Sequence, residues 1–86
     1  MTKITWQKTS LDELGIGEKG FVESIDPKLL VRDRLMEMGL IVNTPVEVIR
    51  FAPFGDPIEI LLRGYYLSLR KEEARYICVR LLKAGK

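Results

Sequence analysis

Hydrophobic and polar residues alternate along several segments of the chain, which is the pattern of β-strands that bury one face. The clearest case is the pair of segments 58–63 and 65–70, IEILLR and YYLSLR, which are separated only by Gly64. Two alternating runs joined by so short a turn predict a β-hairpin. The same period-two pattern predicts further strands at residues 21–26, 46–52 and 76–82.

A helical period replaces this alternation in residues 28–38, KLLVRDRLMEM, where the apolar side chains form one stripe. The pattern predicts an amphipathic helix, and Gly39 follows it as the residue expected to end a helix. The segment SLDEL begins with Ser10, a suitable N-cap, and is followed by Gly15, so it predicts a short N-terminal helix. Residues 71–75, KEEAR, predict a single helical turn.

These elements predict a mainly β domain, a small α+β fold with about five strands and one inserted helix. In a chain of 86 residues such strands favour a strongly bent or barrel-like antiparallel sheet, because closure removes exposed edges. We assign the domain to residues 10–82, with an N-terminal extension at 1–9 and a frayed tail at 83–86. No apolar run is long enough for a membrane span or a signal peptide, so we expect a cytoplasmic protein.

Residues 15–20, GIGEKG, have the glycine spacing of a dinucleotide-binding turn. That turn functions between a strand and a following helix, whose N-terminus faces the phosphate. Here the predicted order is helix, glycines, strand, which is the reverse. The glycines therefore predict turn and strand-start positions, and no nucleotide site is assigned.

The composition offers few groups for catalysis or for metal binding. The chain has no histidine and a single cysteine, Cys78, so it lacks histidine-based catalytic pairs and paired-cysteine metal or redox motifs. No enzymatic activity, no cofactor and no metal ligand are predicted. The net charge is only +2, which falls short of the basic footprint of a nucleic-acid-binding domain.

The most suggestive surface surrounds the loop FGDP. Phe51 and Phe54 lie on or beside this loop, and loop aromatics are frequent contact residues. Leu61 and Tyr66 are expected on the outer face of the neighbouring hairpin. An alternative interpretation of the loop is ordinary turn chemistry. The predicted partner-binding surface consists of Phe51, Phe54, Leu61, Arg63, Tyr66 and Arg70.

Three segments in order, RLMEMGLIVNT, GDPI and LSLRKEEA, resemble motifs of the FeoA family, small bacterial proteins of the ferrous-iron uptake system. The resemblance covers about residues 10 to 82. One departure is Asn43, which stands where the family usually has glycine, and asparagine is a low-cost substitute at a left-handed position. The turn and core positions of the motifs include Arg34, Leu35, Gly39, Asn43, Gly55, Asp56, Pro57 and Gly64.

The resemblance implies an SH3-like β-barrel with a helix inserted after the first strand. It also implies an accessory role: binding the membrane transporter FeoB, at its GTP-binding domain or cytoplasmic face, and modulating Fe²⁺ transport. The protein would then be cytoplasmic or peripheral at the inner membrane. One alternative is a metal-responsive module that binds Fe²⁺ weakly and is related to the C-terminal domain of diphtheria-toxin-repressor-type regulators. Another is a self-assembling module that forms weak homo-oligomers.

Overall fold

Backbone pairing joins the strands of this protein into one antiparallel sheet, seen in a computed structural model that describes residues 3–85. The elements in chain order are β1 (Lys3–Ser10), a 3₁₀ helix (Leu11–Glu13), β2 (Lys19–Ile25), α1 (Arg32–Glu37), β3 (Pro45–Phe51), β4 (Ile58–Leu62), β5 (Tyr65–Leu69), α2 (Lys71–Ala74) and β6 (Ile77–Gly85). The strand order across the sheet is β1-β6-β2-β3-β4-β5.

The core lies against one face of the sheet, as the alternation predicts. The β4–β5 hairpin and β6 supply buried residues at every second position, and α1 adds Leu35 while the 3₁₀ helix adds Leu11. Burying one such aliphatic side chain stabilises the fold by about 1.5–3 kcal/mol. The strand residues of the core are Val22, Ile25, Val46, Val48, Ile58, Ile60, Leu62, Leu67, Leu69, Ile77, Val79 and Leu81.

The sheet of residues 3–85 contains six strands, one more than predicted. The additional strand, β1, lies in the segment assigned to the N-terminal extension, and β6 continues to Gly85, into the predicted frayed tail. These ends pair with each other, from Lys3 opposite Gly85 to Ser10 opposite Cys78. No side chain of β1 is buried, so the strand leaves no strict hydrophobic alternation in the sequence.

The predicted helix at 28–38 is shorter in the structure, because α1 spans only Arg32–Glu37. Residues before it form turns: Asp26 accepts the N–H of Lys28 through its carboxylate and the N–H of Leu29 through its carbonyl oxygen. A carboxylate that bonds nearby backbone competes with a helix. The predicted end of the helix at Gly39 is confirmed. Gly39 has a φ of 105°, and the N–H of Leu40 donates to the carbonyl oxygen of Leu35, as in a Schellman motif.

The paired strands form an open sheet rather than a barrel closed by hydrogen bonds. The pairings found within residues 3–85 leave β1 and β5 at opposite edges. Irregularities between Val22 and Ser24 and between Val48 and Arg50 interrupt the ladders, and such bulges bend a sheet and increase its twist. No helix within the described residues has the length and hydrophobicity needed to cross a bilayer.

Candidate functional site

The β4–β5 hairpin brings two of the predicted surface residues together. Arg63 and Gly64 form its turn with φ values of 48° and 83°, and positive φ at both central residues defines a type I′ turn. Leu61 and Tyr66 are then direct cross-strand partners. Leu61 is half-buried, whereas Tyr66 is 62% exposed, so the pair presents an aromatic ring beside an aliphatic side chain.

Phe51 does not share this outer surface, which corrects its predicted exposure. The bulge between Val48 and Arg50 shifts the alternation at the end of β3, so that Phe51 pairs with the buried Ile58. Its side chain is partly buried and packs against the core. One extra residue in a strand turns the following side chains to the other face.

Phe54 is fully exposed at 100%, but it lies in the β3–β4 loop at the opposite end of β4 from the Arg63–Gly64 turn. This loop is tied to α2, because the carboxylate of Asp56 accepts the N–H of Lys71 at 2.9 Å. Asp56 of the FGDP loop therefore has a structural role in the fold. The four apolar residues of the predicted surface, Phe51, Phe54, Leu61 and Tyr66, therefore do not form one contiguous patch.

The two predicted arginines lie at the ends of the hairpin's second strand. Arg63 is exposed, yet its guanidinium donates to the carbonyl oxygen of Gly39 and to Oγ1 of Thr44, each at 3.3 Å. It thereby holds the hairpin turn to the segment after α1. Arg70 precedes α2, and its backbone N–H donates to the carboxylate of Glu73 at 2.9 Å. The ion pairs found within residues 3–85 include neither arginine.

The motif positions are mainly structural. Asn43 has a φ of 73°, so it does occupy a left-handed position, and its side-chain oxygen also accepts a hydrogen bond from Arg80. Leu35 is buried in the core. Arg34 is exposed, and nothing in the structure explains why an arginine occupies this motif position.

The glycine-rich segment GIGEKG forms the turn that leads into β2, and the order of helix, glycines and strand is confirmed. The N–H of Gly15 donates to the Glu18 carboxylate at 2.7 Å, which lowers the pKa of that group. Gly20 lies in β2, where a Cβ atom would stand 3.0 Å from the carbonyl oxygen of Arg80. These glycines serve a turn and a close strand contact.

Sequence analysis missed a second exposed cluster on the face shared by β1, β6 and β2. The guanidinium carbon of Arg80 lies 5.5 Å from the ring centroid of Trp6 and 5.4 Å from that of Phe21. The Glu23 carboxylate contacts Lys8 and Arg80, each at 3.2 Å. The hydrogen bond and charge of Lys8, followed by those of Arg80, lower the pKa of Glu23. The signal for this cluster in the sequence was Trp6, the only tryptophan of the chain, two residues before the basic Lys8.

Within the described residues, no group of three or more cysteine, aspartate and glutamate side chains is placed to hold a metal ion. The chain forms a small, mainly β domain whose surface carries exposed aromatic, aliphatic, basic and acidic side chains. The sequence profile of the FeoA domain matches residues 9–81. The chain belongs to the FeoA family.

A curated relative connects this family with ferrous iron transport. It is an Fe²⁺ transport protein A/Fe²⁺ transporter FeoB fusion protein of Porphyromonas gingivalis, 31% identical over 75 residues. The match covers 87% of this chain but only 9% of that relative. The chain therefore spans only a small part of the length of that relative.

Solved structures show the same fold. A FeoA-like protein from Clostridium acetobutylicum is 44% identical, with 84% of each chain covered and a TM-score of 0.77. FeoA of Stenotrophomonas maltophilia, complexed with zinc, is 25% identical, with 83% of this chain and 88% of that chain covered and a TM-score of 0.73. It is described as a prokaryotic SH3 domain protein and a candidate ferrous iron transport activating factor. The fold is thus SH3-like.

A manganese-dependent transcriptional repressor shares the fold alone, at 22% identity and a TM-score of 0.71. The aligned region is 87% of this chain and 42% of the repressor.

Proposed function

We propose that this protein binds the cytoplasmic GTP-binding domain of the FeoB transporter and modulates Fe²⁺ transport. The observation that carries the proposal is the fusion relative, in which FeoA-type and FeoB sequences are parts of one polypeptide. Covalent linkage raises the effective concentration of one domain at the other, often to the millimolar range. Whether the two parts share one polypeptide or not, a contact between them needs a docking surface on the FeoA-type domain.

The outer face of the β4–β5 hairpin is the docking surface that we propose. Tyr66 supplies an exposed ring against Leu61, and aromatic residues are the usual anchors of protein interfaces. Arg70 adds an exposed charge, and Phe54 lies at the far end of the hairpin as a peripheral contact. The protein would then lie at the cytoplasmic side of the membrane that contains its transporter.

The test is an NMR titration of the isotopically labelled protein with the purified GTP-binding domain of FeoB, with and without GTP. We expect amide shifts to concentrate in residues 58–70, and to differ between the two nucleotide states if the contact reports on GTP. An absence of shifts at high micromolar concentrations of the domain would contradict this contact. Full-length transporter would then be titrated to locate another contact.

A matched pair of tyrosines tests the surface. Tyr66→Ala should weaken binding by roughly tenfold or more, because it removes the exposed anchor. Tyr76→Ala removes a ring that is also exposed, at 40%, but lies between α2 and β6, so binding should stay unchanged. In cells that depend on FeoB, the first variant should lower Fe²⁺ uptake and the second should not. Equal binding by both variants would move the site elsewhere.

A further inference from the structure

The strand β5 forms one edge of the sheet. Its neighbour in the strand order is β4, and the pairings found within residues 3–85 assign it no second partner. The strand spans Tyr65–Leu69, and an edge of this kind presents backbone N–H and C=O groups that can pair with another chain.

The turn geometry determines which groups of β5 face outward. In a two-residue type I′ hairpin, the residues that flank the turn form a hydrogen-bonded pair, here Leu62 and Tyr65. Pairs alternate along an antiparallel ladder, so the backbone N–H and C=O groups of Tyr66 and Ser68 point away from β4. The turn, loop and cap hydrogen bonds of the described residues include neither of these two residues.

Within β5, two features that commonly prevent strand addition are missing. Proteins protect edge strands with charged residues, especially lysine, or with proline. The sequence of β5, YYLSL, contains neither. The opposite edge, β1, carries Lys3 and Lys8. The two edges of the same sheet therefore differ in their readiness to accept another strand.

Charge at the ends of β5 indicates the chemistry of the segment that would pair there. Arg63 precedes the strand, while Arg70 and Lys71 follow it, and the side chains of all three are exposed. The ion pairs of residues 3–85 involve none of them. Between these cationic ends, the side chain of Tyr66 offers an apolar contact. An extended peptide with apolar residues in its centre and carboxylates near its ends complements this arrangement.

We propose that β5 receives such an extended acidic and apolar segment of the transporter as an additional β-strand. The proposal rests on the proposed function and adds the mode of recognition: hydrogen bonds from the backbone of Tyr66 and Ser68, with charge contacts at both ends. The main-chain part of this contact tolerates side-chain changes that preserve the N–H groups, whereas the apolar contact at Tyr66 needs its ring. It is sensitive to proline, which removes a donor.

The first experiment compares Ser68→Pro with Ser68→Ala in binding to full-length FeoB in lipid nanodiscs. Proline is tolerated on an edge strand where its nitrogen faces solvent, so the β4–β5 pairing should persist, and NMR spectra of the free variant check this. We expect Ser68→Ala to bind like the original chain. Ser68→Pro should bind roughly tenfold or more weakly, because it loses a backbone donor and the added strand loses its fit.

The second measurement does not depend on a variant. Amide hydrogen exchange at Tyr66 and Ser68 should be fast in the free protein and slow in the complex with FeoB, because an added strand protects both N–H groups. Full affinity of a folded Ser68→Pro variant, or unchanged exchange at both amides in the complex, would overturn strand addition while leaving the proposed function intact.

Two other outcomes are distinguishable. If the original chain does not bind full-length FeoB, the proposed function fails and this inference fails with it. If light scattering shows a dimer that Ser68→Pro dissociates, then β5 pairs with a second copy of the chain, which overturns the transporter segment as its occupant.

Discussion

Phe51 ends β3 and Phe54 lies in the loop that follows it, and their side chains have opposite environments. Phe51 packs against the core, whereas Phe54 is 100% exposed. Phe51→Ala should lower the free energy of unfolding by about 1–3 kcal/mol, since it removes a partly buried ring, whereas Phe54→Ala should change it by about 0.5 kcal/mol or less. Denaturant unfolding measures both. Equal losses would mean that the bulge in β3 does not turn Phe51 inward.

Glu23 provides a second prediction at the scale of single residues. Its pKa is lowered, first by Lys8 and then by Arg80, so its ion pairs stabilise the fold above the pKa of the unfolded chain and this contribution is lost as pH falls through the folded pKa. An NMR titration of the Glu23 side chain should have a midpoint below that of an ordinary glutamate. Lys8→Met should raise the midpoint and Lys8→Arg should keep it low. An unchanged midpoint in Lys8→Met would contradict the assigned cause.

At the scale of elements, β1 joins the sheet without contributing a buried side chain. It pairs with β6 along Lys3–Ser10, and its Trp6 contacts Phe21 and Arg80. Removing residues 1–9 should therefore lower the melting temperature but preserve cooperative unfolding, because all the core side chains found within residues 3–85 lie at or after Leu11. Thermal unfolding followed by circular dichroism measures this.

A matched chain with Trp6→Ala separates the contribution of the ring from that of the backbone ladder. Loss of cooperative unfolding in the shortened chain would show that residues 10–82 do not form an independent domain. That assignment stays a prediction until this measurement.

At the scale of the whole molecule, hard metal ligands are dispersed over the surface. Within residues 3–85 no group of three suitable side chains is placed to hold an ion, and stable Fe²⁺ sites need several converging donors. The isolated protein should therefore bind Fe²⁺ only weakly. Anaerobic equilibrium dialysis against micromolar Fe²⁺ tests this, with Cys78→Ser as the control for adventitious thiol binding. One tightly bound equivalent would favour the metal-responsive alternative.

Local rules predicted much of the fold. The hairpin followed from two alternating runs and the short turn at Gly64, and the C-terminus of α1 followed from Gly39. Asn43 at a left-handed position was also predictable, because few residues tolerate that conformation. The role of Asp56 was not, because its partner, Lys71, is distant in the sequence and only the folded chain brings the two together.

The candidate surface was predictable only in part for the same reason. Leu61 and Tyr66 are partners because a short hairpin determines their register, and turn chemistry is local. Phe51 was assigned to the surface because it lies beside the FGDP loop, whereas the bulge that forms in its pairing with β4 turns its side chain inward. Trp6, Phe21 and Arg80 come from three strands that are distant in the sequence, so the local pattern could point to Trp6 and its basic neighbours but not to the cluster.

By itself, the sequence determined the family, the core positions and most turns, because side-chain size, periodicity and backbone preference act over a few residues. Tertiary structure decided which strands lie at the edges, which way the residues after a bulge point, and which charges are neutralised. These properties depend on pairing between distant segments. The free edge at β5, where the proposed partner would add a strand, exists because the strand order places Tyr65–Leu69 last in the sheet.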